Sequence, residues 1–252
     1  RLTDVTGVQT CALPIFLITA SDGARLMKKM LSGNEAVAYG MWEAGVEFAS
    51  SYPGTPSTEI LETYALFPNV YAEWSTNEKV ALDAAAGAAY AGRRSMAVMK
   101  HVGLNVALDS FMYASMTGME AGLVILSADD PGMHSSQNEQ DNRNLAKLGR
   151  VPCLEPADSQ EAKDMVLAAF ELSERFDTPV LLRMTTRICH SASLVELGEQ
   201  VERAIERNPF PRNPAKYVMV PANAIKHHPM IEERILAIDR KSTRLNSSHV
   251  SQ

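Results

Sequence analysis

The glutamate that opens an alanine-rich segment is the side chain in this sequence best placed to do chemistry. Glu78 follows a short strand-like segment, and Asn77 directly before it is a residue type that commonly caps the start of a helix. The helix predicted for residues 78–91 carries small side chains on nearly every face, so another backbone can approach it closely. A carboxylate in this place either interacts with the helix dipole, which is the commoner role, or acts as an acid–base group in a site.

Four polar loops could share a site with this glutamate. Each follows a predicted strand, and in parallel sheets ligands bind where the carboxyl ends of the strands meet helix N-termini. The first loop, Tyr52–Thr58, contains one glycine and two prolines, so it cannot offer the run of backbone amides that binds a phosphate. A rigid turn is its plainest interpretation. Residues 135–141 of the last loop are too polar for a core and are either solvated or substrate-facing. The loops are Tyr52–Thr58, Ser75–Glu78, Lys100–Gly103 and Ala128–Asp141.

No metal site is predicted. Asp129 and Asp130 suggest one, but the following Pro131–Gly132 makes a turn the commoner explanation, and no third ligand is suitably spaced. Cys189 and His190 are adjacent, and neighbours in sequence rarely form a nucleophile–base pair, so a structural role is expected. The loop histidines share no metal-ligand spacing; they are His101, His134 and His190.

Short, nearly continuous apolar runs alternate with helical segments along the chain. This pattern predicts an α/β fold, doubly wound, with a mostly parallel sheet covered by helices on both faces. We predict strands over residues 46–50, 70–74, 95–100, 122–127, 151–154 and 180–185. We predict helices over residues 36–44, 59–66, 78–91, 104–117, 144–148, 159–176 and 194–207.

Composition limits the class of protein. With 252 residues, 46% hydrophobic and 21% charged, the chain is an ordinary globular protein with enough length for a good core. Its net charge of -6 and the lack of a basic stripe argue against a nucleic-acid partner. Cys153 and Cys189 lie far apart and show no cluster spacing, which favours a reducing, cytoplasmic location and no iron–sulfur centre in this piece. No apolar segment is long enough for a membrane span.

The two ends of the chain can be encoded by the two strands of one DNA segment. Codons chosen for residues 5–15 give, as their reverse complement, codons that translate to residues 239–249 without a mismatch. We therefore expect residues 1–15 and 239–252 to derive from a sequencing adapter and exclude them from fold reasoning. Residues 16–207 are predicted to form one α/β domain, and residues 208–238 a linker and the start of a following region.

Several colinear motifs resemble the alpha subunit of indolepyruvate ferredoxin oxidoreductases. The likeness covers about residues 31–238, and its length makes it far more specific than a single short match. The motifs are Ser51–Ile60, Glu73–Trp74 with Asn77–Lys79, Lys100–Asn105, Asp129–Asp141 and Leu154–Pro156.

The resemblance implies the N-terminal pyrimidine-binding domain of a thiamine diphosphate enzyme. Glu78 matches the glutamate that hydrogen-bonds the aminopyrimidine ring, where a carboxylate favours the imino tautomer that accepts the thiazolium proton. His101, Val102 and Gly103 resemble a loop close to the cofactor. Thr55 resembles a threonine that touches the 2-oxo acid, and the loop carrying His134 and Gln137 is the further candidate for substrate contact.

What the family does is then the expected function. Such enzymes oxidatively decarboxylate aryl pyruvates to aryl-acetyl-CoA and pass electrons to ferredoxin, so the implied partners are a beta subunit, ferredoxin, coenzyme A and the aryl pyruvate. Magnesium and 4Fe-4S clusters are expected only in a C-terminal part outside this chain, which alone should be inactive. Two alternatives stay open: a pyruvate-type 2-oxoacid:ferredoxin oxidoreductase, which Asp129 and the loop His134–Asp141 disfavour, and a non-catalytic assembly module.

Overall fold

Parallel strands form the centre of the computed structural model, which describes residues 27–201 and 210–247. The strands are β1 (Met27–Ser32), β2 (Phe48–Ser51), β3 (Tyr71–Trp74), β4 (Ser95–Lys100), β5 (Leu123–Asp129), β6 (Cys153–Leu154), β7 (Val180–Thr185) and β8 (Ala192–Leu197). The helices are α1 (Gly33–Glu43), α2 (Thr58–Tyr64), α3 (Glu78–Tyr90), α4 (His101–Val106), α5 (Leu108–Thr117), α6 (Arg143–Gly149), α7 (Ser159–Phe176), α8 (Thr186–His190), α9 (Pro214–Tyr217) and α10 (Pro221–Ser247).

The main sheet has the strand order β3-β2-β4-β5-β7-β6, and every neighbouring pair is parallel. Because all the strands run the same way, their carboxyl ends lie along one edge. The loops that leave β2, β3, β4 and β5 therefore start from the same side of the sheet. This arrangement brings the polar loops of the sequence together around the start of α3.

Alternate side chains of the central strands enter two separate hydrophobic clusters. In β5, Val124 and Leu126 join the cluster that includes α1, α2 and α7, while Leu123 and Ile125 join the one that includes α3 and α5. All four side chains are fully buried, and each contributes roughly 1.5–3 kcal/mol on burial. The predicted doubly wound α/β fold with helices on both faces is confirmed.

Helix α3 begins as its sequence predicts. The Asn77 side chain accepts a hydrogen bond from the Val80 amide at 3.0 Å and so caps the helix. Small residues on the inner side, Ala81, Ala85 and Ala89, are completely buried. The Ser50 hydroxyl of β2 donates to the Ala81 carbonyl at 2.6 Å, which joins the helix directly to the sheet. The alanine-rich face thus brings the first turn of α3 close to the sheet edge.

Two predicted elements were wrong. Residues 101–103, predicted as a loop, form the first turn of α4, and Ala107 separates this helix from α5. The helix predicted for residues 194–207 is replaced over its first residues by strand β8, which pairs antiparallel with β1, an element the pattern did not indicate. In β8, Val195 and Leu197 are buried and alternate with more exposed neighbours, which is the period of a strand. Residues 202–207 of that predicted helix lie outside the described residues. Among the strands of the described residues, β8 pairs only with β1.

Helix α10, in the C-terminal part of the chain, packs against α5. Arg234 donates hydrogen bonds to the carbonyl oxygens of Asp177 and Ser115, each at 2.8 Å, and so ties α10 to the domain. Helix α10 continues across residue 239, the predicted start of the adapter-derived segment, and the domain boundaries proposed from the sequence stay predictions. Among the residues that the structure describes, no helix combines the length and apolar composition of a membrane span.

Candidate functional site

A cleft of about 500 Å³ lies at the carboxyl edge of the sheet, beside the start of α3. Its lining comes from the turn after β2, from the end of β4 with α4, and from the loop after β5. A smaller cavity of about 260 Å³ between α5 and α10 lies away from this edge. The cleft is lined by Tyr52, Pro53, Gly54, Glu78, Lys100, Val102, Asn105, Val106, Gln137, Asn138 and Gln140.

The carboxylate of Glu78 packs directly against the backbone of α4. A Cβ atom built at Gly103 would lie 2.5 Å from Cγ and 2.8 Å from Oε1 of Glu78, distances that real side chains do not reach. Gly103 is buried, and Glu78 is half-buried with its side chain on the cleft. Only glycine at this position lets the two helix N-termini approach closely enough for Glu78 to sit where it does.

The other two residues of the predicted cofactor segment have different positions. Val102 lines the cleft. His101 is fully buried and is not part of the lining; its Nε2 lies 3.0 Å from the carbonyl oxygen of Asn138. The structure thus brings Val102 and Gly103 to the site together with Glu78, whereas His101 contacts the loop after β5 and does not line the cleft.

The turn after β2 contributes Gly54 but not Thr55 to the lining. The Gly54 amide donates to the Thr58 hydroxyl at 3.1 Å, and the Gly54 carbonyl accepts from the Ser57 amide at 3.0 Å, so the turn closes on itself. Thr55 is exposed beside this turn, outside the lining residues. A substrate contact by Thr55 therefore stays a prediction.

The loop after β5 brings Gln137 to the cleft and leaves His134 exposed outside it. Asp130 organises the loop: its carboxylate accepts from the Ser135 amide at 2.7 Å and from the Ser136 hydroxyl at 2.6 Å. Burial opposes ionisation of Asp130, but these bonds and one from Thr186 hold the pKa of its carboxyl well below the ordinary value. Asp130 is therefore a negatively charged anchor for the loop.

Asp129 faces the protein interior. Its carboxylate lies 2.6 Å from Nε of Arg183 on β7 and accepts a hydrogen bond from the Asn142 amide at 3.2 Å. Burial raises the pKa of the Asp129 carboxyl, although the Arg183 guanidinium acts in the opposite direction. Arg183 also pairs with Glu155, which belongs to one of the sequence motifs. Asp129 thus belongs to a buried group of ion pairs with Arg183 and Glu155 and does not line the cleft.

Sequence reasoning assigned no individual role to Lys100, Asn105, Asn138 or Gln140, which line the cleft. Lys100 ends β4, and its ammonium group donates to the Ser135 carbonyl of the loop after β5. All four lie in or next to the predicted polar loops, so the signal was present. What singles them out is which side of each loop faces the cleft, and that depends on tertiary packing.

Burial disfavours the thiolate form of both cysteines in the described chain. Burial raises the pKa of the Cys153 thiol to about 12, so it is protonated at neutral pH. Cys189 is fully buried, and burial raises the pKa of its thiol as well. Within residues 27–201 and 210–247, no three His, Cys, Asp or Glu side chains are grouped closely enough to hold a metal ion.

The cleft fits the pyrimidine end of thiamine diphosphate in its chemistry. The carboxylate of Glu78 is an acceptor for a ring nitrogen, and the missing Cβ of Gly103 leaves room for the Glu78 side chain beside α4. Val102 and Val106 add apolar surface for a flat ring, and the amides of Gln137 and Asn138 add polar contacts.

The sequence profile of the pyruvate flavodoxin/ferredoxin oxidoreductase, thiamine diphosphate-binding family matches residues 39–244. The chain belongs to this family. The match includes Glu78, the α4 segment and the loop after β5, which are the parts that build the cleft. Membership confirms the predicted family of thiamine diphosphate-binding domains.

Curated relatives carry the same resemblance further. The indolepyruvate oxidoreductase subunit IorA of Pyrococcus horikoshii is 49% identical over 215 residues, which are 82% of this chain and 33% of the relative. The subunit IorA of Methanothermobacter marburgensis is 52% identical over 211 residues, 82% of this chain and 34% of the relative. A more distant relative is the 2-oxoglutarate synthase subunit KorA of Methanothermobacter thermautotrophicus, 31% identical over 192 residues, 71% of this chain and 50% of the relative. The chain spans about a third of the length of the IorA relatives.

A solved structure supports the fold. The 2-oxoglutarate:ferredoxin oxidoreductase from Magnetococcus marinus, solved with 2-oxoglutarate, coenzyme A and succinyl-CoA bound, superimposes with a TM-score of 0.70. The match covers 84% of this chain and 45% of that chain at 18% sequence identity, so it concerns the fold alone.

Proposed function

We propose that this chain is the pyrimidine-binding domain of the alpha subunit of an indolepyruvate ferredoxin oxidoreductase. The proposed enzyme oxidatively decarboxylates indolepyruvate and other aryl pyruvates to aryl-acetyl-CoA, with ferredoxin as electron acceptor. The observation that carries the proposal is the packing of Glu78 against Gly103 at the mouth of the cleft. The identity to IorA subunits and the family match support it.

In the proposed mechanism, bound thiamine diphosphate supplies a carbon nucleophile and an electron sink for decarboxylation. Glu78 holds a proton between its carboxylate and a nitrogen of the pyrimidine ring, which sets the ring tautomer that can act as a base. Gly103 leaves room for that carboxylate beside α4, while Val102 and Val106 would offer apolar surface to the ring. This chain therefore contributes proton control and orientation.

The remaining components of the activity are part of the same proposal. We assign the diphosphate and magnesium site, and the 4Fe-4S clusters, to a part of the subunit outside this chain, and electron transfer to a beta subunit and ferredoxin. The free thiols Cys153 and Cys189 agree with a reducing, cytoplasmic compartment. On this proposal the chain alone shows no thiamine-dependent decarboxylation. Measurable turnover by the purified chain would contradict the assignment of the remaining sites to a part outside it.

The decisive experiment replaces Glu78 by Gln in the full-length subunit assembled with its beta subunit. A proton-controlling carboxylate predicts a loss of kcat of roughly a hundredfold or more with indolepyruvate. The matched control is Glu62→Gln, because Glu62 is exposed on α2, away from the cleft, and the change removes the same charge. If both variants keep wild-type activity, the chain is an assembly module and the catalytic proposal is wrong.

A further inference from the structure

The loop between β5 and α6 is held in place by buried polar side chains although it has no regular secondary structure. Asp130, which is 2% exposed, accepts hydrogen bonds from the Ser135 amide, the Ser136 hydroxyl and, at 2.9 Å, the Thr186 hydroxyl. A carboxylate with several donors makes stronger bonds than neutral groups do. The first half of the loop is thus fixed to the end of β5 and to α8.

A second buried group fixes the middle of the loop. The His101 ring is fully buried, and its Nε2 lies 3.0 Å from the Asn138 carbonyl oxygen. Because a carbonyl oxygen can only accept, Nε2 is the protonated nitrogen in this contact. His101 is also the first residue of α4, whose next two residues, Val102 and Gly103, form the wall beside Glu78. The histidine therefore couples the loop to the segment that contacts the carboxylate.

The loop presents carboxamide groups to the cleft. Gln137, Asn138 and Gln140 all line it. The Gln140 amide nitrogen donates to the Asn138 side-chain oxygen at 3.0 Å, which orients two of the three groups relative to each other. Exposed glutamine side chains have many rotamers, so a surface of this kind selects a ligand only if its backbone is held still.

We propose that Asp130 and His101 are positioning residues that hold Gln137, Asn138 and Gln140 as the wall of the cleft that meets the side chain of the 2-oxo acid substrate. Neither residue lines the cleft, so each acts through the loop. The inference has two halves. The substrate half, which is the identity of the ligand, rests on the proposed function. The structural half, which is the positioning of the loop by Asp130 and His101, concerns this chain alone. The two halves are tested by different measurements.

Hydrogen exchange of the chain itself tests the structural half. Asp130→Asn weakens the bonds to Ser135 and Ser136, and we expect the hydrogen-bonded amides of the loop, those of Met133 and Ser135, to exchange about tenfold faster or more, while β4 and β5 keep their protection. The matched control is Asp109→Asn, which removes the same charge from a side chain that is 89% exposed. Ser136→Ala deletes only one bond and serves as the milder variant if Asp130→Asn fails to fold. Unchanged exchange of the loop in the folded variants would overturn the proposal.

His101 allows a test by conservative rescue. The amide nitrogen of Gln can occupy the place of Nε2 and donate to Asn138, whereas that of the shorter Asn cannot reach it. We expect His101→Asn to raise the exchange of the loop several-fold, in the range of one lost hydrogen bond, and His101→Gln to keep it near the wild-type rate. Equal exchange in both variants at the wild-type rate would remove His101 from the proposal.

Kinetics of the full-length assembled enzyme test the substrate half. With Asp130→Asn, we expect KM for indolepyruvate to rise about tenfold while kcat changes much less, because the loop contributes binding and not proton transfer. A KM that stays at the wild-type value despite faster loop exchange would overturn the assignment of the wall to the substrate. If the wild-type enzyme oxidises no 2-oxo acid, the proposed function fails, and the exchange measurements still decide the positioning role.

Discussion

Replacing Gly103 by alanine should displace Glu78, because an alanine Cβ and the Glu78 side chain cannot occupy their present positions together. The added atom would lie 2.5 Å from Glu78 Cγ, so the whole side chain must rotate. Removing a helical glycine gains roughly 0.5–1 kcal/mol, whereas overpacking costs about 1–3 kcal/mol. We therefore expect Gly103→Ala to be neutral or destabilising by up to about 2.5 kcal/mol in the free energy of unfolding.

Gly87 supplies the matched control. It lies inside α3 with nothing within 4 Å of the position of an added Cβ, so Gly87→Ala should stabilise the chain by roughly 0.5–1 kcal/mol. Urea unfolding of both variants measures the difference. The double variant Glu78→Ala with Gly103→Ala removes the clashing atoms, and we expect the cost of alanine at position 103 to disappear in it.

Activity gives the second measurement. A displacement of a catalytic group by about 1 Å can cost on the order of a hundredfold in rate, so the full-length subunit with Gly103→Ala should lose roughly 10–100-fold in kcat while Gly87→Ala loses nothing. Wild-type kcat for Gly103→Ala would refute the steric argument. A cost of alanine at position 103 that persists without the Glu78 side chain would also refute it.

Other perturbations have equally direct outcomes. Lys163→Met leaves the buried carboxylate of Glu43 without the ammonium group 2.8 Å away, and we expect a loss of about 3–5 kcal/mol in urea unfolding. Gly149→Ala places a Cβ 2.4 Å from the Phe111 ring, and thermal unfolding should show a loss of about 1–3 kcal/mol. Because the folded-state pKa of Asp130 is lowered, its contribution to stability is present above the unfolded pKa of about 4 and declines as the pH falls below it; the stability difference from Asp130→Asn should shrink there.

Controls for these predictions come from the same chain. Replacing Glu43 and Lys163 together by apolar residues should cost less than Lys163→Met alone, because no unpaired charge remains buried. If Lys163→Met is as stable as the wild type, the ion pair has no structural role. A pH-independent difference between Asp130→Asn and the wild type would contradict the lowered pKa.

The local pattern was sufficient for the elements that lie in the centre of the sheet. Fully apolar runs such as β5 and capped helices such as α3 are determined by hydrophobic periodicity and by the Asn77 cap, so both were predicted near their observed bounds. Strand β8 was not, because a short segment with Val195 and Leu197 inward satisfies a helix or a strand until its partner β1 is known. The sequence likewise could not divide α4 from α5.

The sequence by itself determined the α/β class and the polar loops at the strand ends, and through family resemblance it predicted Glu78 as the cofactor-activating carboxylate. Only the tertiary structure decided which loop residues face the cleft. In it, Gly103 packs against Glu78, and Lys100 and Gln140 line the cleft. His101 and Asp129 are buried and do not line it. The physical reason is that residue type and spacing fix local conformation, while the direction of a loop side chain depends on contacts with segments distant in the chain.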